Sequence, residues 1–282
     1  VDFRGFKIKI GKQGEITGFI YQREMTLKMP IKTDGSRLFT LLLSASLMTA
    51  VAAQSFGYGY TRRGYAYGTF VCPCPPGPVY YEKGEPIPLF NGIDLTGWTD
   101  AEGGAPNPGW TVQDGALCRC GEGAGNLFTT GAFDNFILEF DFKTATGANG
   151  GLKYRLWNQA GDILGCEYQI LDPEAGDSGA LHLTASLYDV FPAEGVNEIF
   201  KRGDYNHGKI VIKGNHIEHW LNNRLIVSVL VDSCEWRANV AKSKFADSPC
   251  FGRNTRTRFF LQDHGDTVWF KNIVLTPLKP LQ

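Results

Sequence analysis

The sequence carries almost no excess of charge of either sign: 28 Lys and Arg stand against 29 Asp and Glu over 282 residues. That balance removes the electrostatic reason to expect nucleic acid or an anionic membrane as partner, and it suits a neutral ligand. Also missing is any serine nucleophile elbow, phosphate-cradling glycine loop or dinucleotide fingerprint in a strand-to-helix setting. Covalent serine catalysis and oxidation by an organic cofactor therefore drop out. Helical periodicity is scarce. No two histidines have the spacing of a metal-binding helix face, and His216 and His219 are placed to point to opposite sides of a strand.

What is present is globular and strand-rich in character. Hydrophobic residues make up 43% and aromatics 13%, with 34 Gly, which matches strands joined by many tight turns. The seven cysteines would permit disulfides in an exported chain. Cys72-x-Cys74 and Cys118-x-Cys120 lack the spacing of a zinc site, so the cysteines are read as structural or idle.

Ahead of the strand-rich region, residues 28–53 have the order of a secretory signal. Lys28, Lys32 and Arg37 are basic, Leu38 to Met48 is apolar, and Ala50-Val51-Ala52 or Val51-Ala52-Ala53 offers a cleavage site near Gln54. The apolar run is shorter than the roughly 20 residues of a membrane span, so no span is expected after cleavage. The product is expected to be exported, either periplasmic or extracellular at the cell surface. A signal should begin near its basic region, which makes residues 1–27 an expected over-extension of the gene start. Residues 54–84, rich in Gly, Tyr and Pro and including Cys72-Pro73-Cys74-Pro75, bury little apolar surface and read as a linker.

From residue 85 to 282 the dominant signal is alternation of apolar and polar residues. Phe136, Leu138, Phe140 and Phe142 alternate with Ile137, Glu139, Asp141 and Lys143, and Asp114-Gly115 is a tight-turn signal between Trp110–Val112 and Ala116–Cys120. Further strands are predicted at Lys209–Lys213, His216–Leu221, Arg224–Val229, Thr257–Gln262 and Thr267–Leu275. One helix is predicted within Asp232–Phe245, capped by Asp232 with Glu235 reaching back. Alternation also places Lys153 and Arg155 on one polar strand face and Glu167 and Gln169 on the next. The fold class is all-β, a two-sheet sandwich with one or two short helices.

The order of motifs resembles one family throughout residues 88–278. Pro88-Leu89-Phe90-Asn91-Gly92 with Leu95-Thr96-Gly97-Trp98 is similar to its opening motif. Ala148-Asn149-Gly150-Gly151-Leu152-Lys153-Tyr154-Arg155, Glu167-Tyr168-Gln169-Ile170-Leu171-Asp172 and Leu261-Gln262-Asp263-His264-Gly265-Asp266 continue it. The family is that of the 3-keto-disaccharide hydrolases and 3-keto-glucoside 1,2-lyases. Two departures stand out: Gly150 replaces the usual Ser, removing a hydroxyl near the expected site, and Tyr205-Asn206 replaces Trp-Asn. The resemblance implies a concanavalin A-like jelly roll whose concave sheet holds sugar. It also implies a 3-keto saccharide substrate supplied by a separate glycoside 3-dehydrogenase.

A keto group at C3 acidifies the hydrogen on C2, so cleavage by elimination and rehydration needs a base, a group for the developing oxyanion and an acid for the departing oxygen. Glu167 and His264 are the expected proton-transfer groups, and Arg155 and Lys153 the cations. Gln169, Asp172, Asn149 and Gln262 are candidates to meet sugar hydroxyls. Tyr188 and His182 belong to a loop, Ser178–Pro192, long enough to overhang a groove. A divalent metal held by Glu167, His264 and Asp263 is left open. The alternative function is a non-catalytic carbohydrate-binding or adhesion module, because a sandwich fold alone proves no activity. An ordinary two-carboxylate glycosidase built on Glu139 and Asp141 is the third reading, though the pair is more simply a solvated strand edge.

Overall fold

A computed structural model describes strand segments within residues 2–27 and the whole of residues 79–176 and 178–281. The chain divides into two units, residues 1–68 and 69–282. In the first unit β1 (Asp2–Phe3), β2 (Phe6–Ile10), β3 (Ile16–Ile20) and β4 (Arg23–Leu27) pair antiparallel in chain order. The expected signal segment, residues 28–53, and most of the expected linker lie outside the described residues.

The second unit is a jelly-roll sandwich of two antiparallel sheets. Its short early strands are β5 (Tyr81–Lys83), β6 (Ile87–Pro88), β7 (Trp98–Thr99), β8 (Trp110–Gln113), β9 (Ala116–Arg119) and β10 (Leu127–Thr129). Longer strands follow: β11 (Phe136–Thr144), β12 (Asn149–Gln159), β13 (Asp162–Leu171), β14 (Asn206–Lys213), β15 (His216–Leu221) and β16 (Arg224–Leu230). Helix α1 (Cys234–Val240), β17 (Phe260–Leu261) and β18 (Val268–Pro280) complete the unit. The smaller sheet has the order β13-β12-β17-β10-β7. The larger runs β16-β15-β14-β11-β18-β9-β8, with β5 and β6 also paired to β18.

Alternation explains the sandwich. Every second residue of β11 is buried from Phe136 to Thr144, and Phe140 meets Tyr168 of the other sheet edge-on at 5.3 Å between ring centroids. Each such ring contributes roughly 1.5–3 kcal/mol through burial. The partner strand accommodates Phe140 only because residue 208 is glycine: a Cβ there would lie 2.5 Å from the phenyl ring. At the predicted hairpin, Asp114 and Gly115 take φ of 49° and 73°, the positive values a primed turn needs.

Three local expectations are corrected. The helix spans only Cys234–Val240 and its cap is Ser233, whose side chain accepts from the Trp236 N–H at 3.1 Å; Asp232 instead accepts from Arg253 at 2.8 Å. The strand expected over Thr257–Gln262 shrinks to Phe260–Leu261, with an isolated bridge at Thr257. Tyr81–Lys83, at the end of the expected linker, pair with Leu278–Pro280 and so extend the larger sheet. Among the described residues no helix is long and apolar enough to cross a membrane.

Candidate active site

Side chains that leave the core on β12 and β13 converge on the outer face of the smaller sheet. Lys153 and Glu167 are directly paired in register, and Lys153 Nζ lies 3.3 Å from Glu167 Oε2. Glu167 is only 4% exposed, so its charge is compensated locally rather than by bulk water. Beneath it the strand must be bare. A Cβ on Gly151 would come within 2.7 Å of Glu167 Oε1 and 3.1 Å of Gln262 Oε1. The Gln262 oxygen is buried and has no protein partner, leaving an acceptor beside Glu167 for a ligand hydroxyl.

A chain of amides leads away from the carboxylate. With the Gln169 nitrogen assigned to donate to Glu167 Oε1 at 2.9 Å and to the Gly150 carbonyl at 3.1 Å, its oxygen lies 3.1 Å from Asn149 Oδ1, so the Asn149 amide turns as well and presents its nitrogen as the donor to Gln169. Asn149 reaches on to His264 Nε2 at 3.4 Å. His264 is exposed at the rim. It thus meets Glu167 through two amides rather than directly.

The loop after β13 closes the far side. Ala185 to Tyr188 run along the β13 edge, with Tyr188 N–H donating to the Glu167 carbonyl at 3.1 Å. The Tyr188 ring packs on His182 at 4.8 Å, and His182 Nε2 lies 3.1 Å from Asp189 Oδ1. Burial raises the Tyr188 phenol above its ordinary value, and the Glu167 and Asp189 carboxylates add to this. Lys244 Nζ sits over the same ring at 4.1 Å. Burial pulls its ammonium below the usual lysine range; Glu167 opposes that and Lys153 reinforces it. Lys244 and Asp189 were not foreseen. Lys244 is 77 positions from Glu167, in a segment with no motif of its own, and it is tied here by its contact with the Tyr188 ring and by its backbone N–H, which donates to Asp189 Oδ2 at 2.7 Å.

Several expected site residues are placed elsewhere. Arg155 does not join Lys153 on the polar face. A bulge between Tyr154 and Trp157 gives Arg155 a φ of 52° and turns its side chain inward, where it donates to the carbonyls of Gly252 (2.7 Å) and Gly214. Gly214 belongs to the β14–β15 turn, so Arg155 ties the two sheets together. Arg155→Met is accordingly expected to cost about 2 kcal/mol in a denaturant titration, since hydrogen bonds from a charged group are lost, while the Lys153–Glu167 face keeps its ligand affinity. Asp172 is also structural: Thr144 Oγ1, Gly147 N–H and Glu174 N–H donate to it at 3.0, 3.1 and 3.0 Å. The missing hydroxyl at Gly150 is not on this face, because a Cβ there would point at Val268, 3.2 Å away.

The metal set does not converge either. Burial works to raise the Asp263 carboxyl, but hydrogen bonds from Arg119, Gly265 and Gly125 outweigh it and hold the group below the usual range. Those donors occupy both oxygens, at 2.5 to 3.0 Å. No group of three or more His, Cys, Asp or Glu among the described residues is arranged to hold a metal. Glu139 and Asp141 face outward on the other sheet, against His207 at 3.6 and 2.9 Å, which removes them from this site.

Fold and site together define a jelly-roll sandwich with a charged, amide-lined sheet face. The chain belongs to the 3-keto-alpha-glucoside-1,2-lyase-like domain family, whose model matches residues 85–276. It is similar to the 3-keto-disaccharide hydrolase of Bacteroides thetaiotaomicron, with 28% identity over 222 residues, covering 66% of this chain and 76% of that protein. Two crystal structures of candidate glycosyl hydrolases from Parabacteroides distasonis share the fold. One has TM-score 0.61 and 26% identity and covers 69% of this chain and 94% of its own; the other has 0.53 and 25%, with 69% and 100%.

Proposed function

We propose that the domain is a sugar hydrolase that cleaves 3-keto-glycosides on the outer face of the smaller sheet. The observation that carries the reading is the Lys153–Glu167 pair, 3.3 Å apart and shielded from solvent, beside the unpartnered Gln262 acceptor. Family membership and the similarity to a 3-keto-disaccharide hydrolase support a 3-keto sugar as the substrate class.

In this reading Glu167 takes the C2 proton and the electron pair moves onto the C3 oxygen, giving an enediolate. Lys153 is the cation available to that oxygen, and Lys244, over the Tyr188 ring, adds positive charge nearby. Collapse of the enediolate forms the C1–C2 double bond and breaks the bond from C1 to the leaving oxygen, which His264 at the rim protonates. Water then adds at C1 and a proton returns to C2, so the net reaction is hydrolysis. The substrate's ketone must come from a prior oxidation at C3, the reaction of a glycoside 3-dehydrogenase.

Incubating purified protein with a 3-keto-disaccharide and its unoxidised parent tests this. Only the keto sugar should disappear. Binding of sugar without turnover would instead make the domain a carbohydrate-binding module, and cleavage of the parent would make it an ordinary glycosidase. Export belongs to the same reading: intact-mass measurement of the mature protein should place its first residue near Gln54, and peptides from residues 1–24 should be absent.

A further inference from the structure

Strand register continues the face that carries Glu167 and Lys153 into a buried aromatic patch, Phe260 and Phe128. Glu167 pairs with Lys153, Lys153 with Phe260, Phe260 with Phe128, and Phe128 with Thr99, so one row of outward side chains crosses all five strands. A second row runs alongside. Gln169 pairs with Gly151, Gln262 N–H donates to the Gly151 carbonyl at 2.8 Å, and the Asn126 amide oxygen accepts from Asp263 N–H at 3.0 Å. Both rows end in a cleft of about 400 Å³ formed by Phe128 and Asn126 on β10 and its approach, the β12–β13 hairpin tip at Asp162 and Ile163, and the turn carrying Ala101. Strands lie about 4.8 Å apart, so Phe128 is roughly 10 Å along the sheet from Lys153.

The chemistry of the cleft is one-sided. Its floor is apolar, from the half-buried Ile163 and Leu164 over the buried Phe128 ring, and its border is made of the Asn107 and Asn126 amides with the carboxylates of Asp100, Glu102 and Asp162. No lysine or arginine lines it. Arg258 packs on the Phe128 ring at 4.7 Å, but Thr99 Oγ1 and the Ala101 carbonyl accept from its guanidinium at 3.1 and 2.7 Å. An apolar floor under an acceptor-rich rim suits a sugar ring, whose C–H face is apolar and whose hydroxyls need acceptors. The carboxylates would repel an anion.

We propose that this cleft is the leaving-group subsite, holding the departing half of the substrate as an uncharged, hydroxyl-rich ring and discriminating against leaving groups that bear a carboxylate. The proposal rests on the reading that the scissile bond lies at Glu167–Lys153. Neither Ala101 nor the cleft carboxylates belong to that catalytic cluster.

Calorimetric titration separates the two ideas, because binding is read without turnover. Wild type should bind the unoxidised parent disaccharide at least roughly tenfold more tightly than the methyl glucoside. Ala101→Trp, which fills the cleft, should abolish that preference and leave methyl glucoside binding unchanged within about twofold. The exposed pair Glu102→Gln with Asp162→Asn should tighten binding of a disaccharide with a uronate in the leaving position by roughly fivefold, with no gain for the neutral one. A disaccharide preference that survives Ala101→Trp, no preference in wild type, or equal effects of the double variant on neutral and anionic ligands would each overturn the subsite. Turnover of methyl 3-keto-glucoside reports on the catalytic reading separately.

Discussion

Glu167→Gln is expected to lower kcat on a 3-keto-disaccharide by about a hundredfold or more, the scale of a lost acid–base group. The amide keeps the shape over Gly151 and can still hydrogen bond to Gln169, but it cannot take the C2 proton. Lys153 loses its counter-charge, yet its side chain retains 15% exposure and can turn to water, so the fold should survive. Circular dichroism and a thermal melt check that point. His264→Ala should lower turnover on a similar scale if imidazole protonates the leaving oxygen, and a substrate with an acidic leaving group should then recover most of the rate. Near-wild-type rates in a folded Glu167→Gln protein would remove the carboxylate from the reaction.

Acid should destabilise the domain by roughly 3 kcal/mol between pH 7 and pH 4 through one buried residue, His219. Burial pulls its pKa from 6.5 down to about 4. Its environment specifies the neutral ring. Nδ1 faces the Ala185 carbonyl at 3.1 Å and must carry the hydrogen, which leaves Nε2 to accept from the Tyr154 hydroxyl at 2.6 Å. The sign follows from proton counting. Below pH 6.5 the unfolded chain binds a proton that folded His219 refuses until about pH 4. The stability is therefore complete above 6.5 and is lost as pH falls through the folded value. Urea titrations of wild type and His219→Gln across this range isolate the effect, because the other titrating groups are common to both. Parallel pH dependences for the two proteins would show that His219 carries no such linkage.

Much of the fold was legible because its signals are local. Phe136 to Phe142 and the Asp114-Gly115 turn each declare themselves within a few residues, and the strands form there. The helix begins one residue later than expected because Ser233, not Asp232, supplies the cap. The site was legible only in part. Lys153, Glu167 and Gln169 share a face as alternation predicts, and Asn149 and Gln262 join them there, whereas Arg155, placed beside Lys153 by the same rule, does not. Tyr188 and His182 fill the loop at its edge, and the ring of Tyr188 carries Lys244.

By itself, then, the sequence determined an alternating all-β chain and the motif order that marks its family over residues 85–276. Period-two alternation is a property of one strand, whereas the register is not: the bulge that turns Arg155 also slides the pairing by one residue, so that Lys153 opposes Glu167 rather than Tyr168. Tertiary structure alone decided the rest. A single bulge reversed Arg155, which no pattern of apolar and polar residues announces. Lys244 reached the site through a distant loop, and the cleft beyond Phe128 exists only where β10, a hairpin tip and a turn meet. Register across five strands and the packing of loops depend on contacts remote in sequence, so no window along the chain contains them.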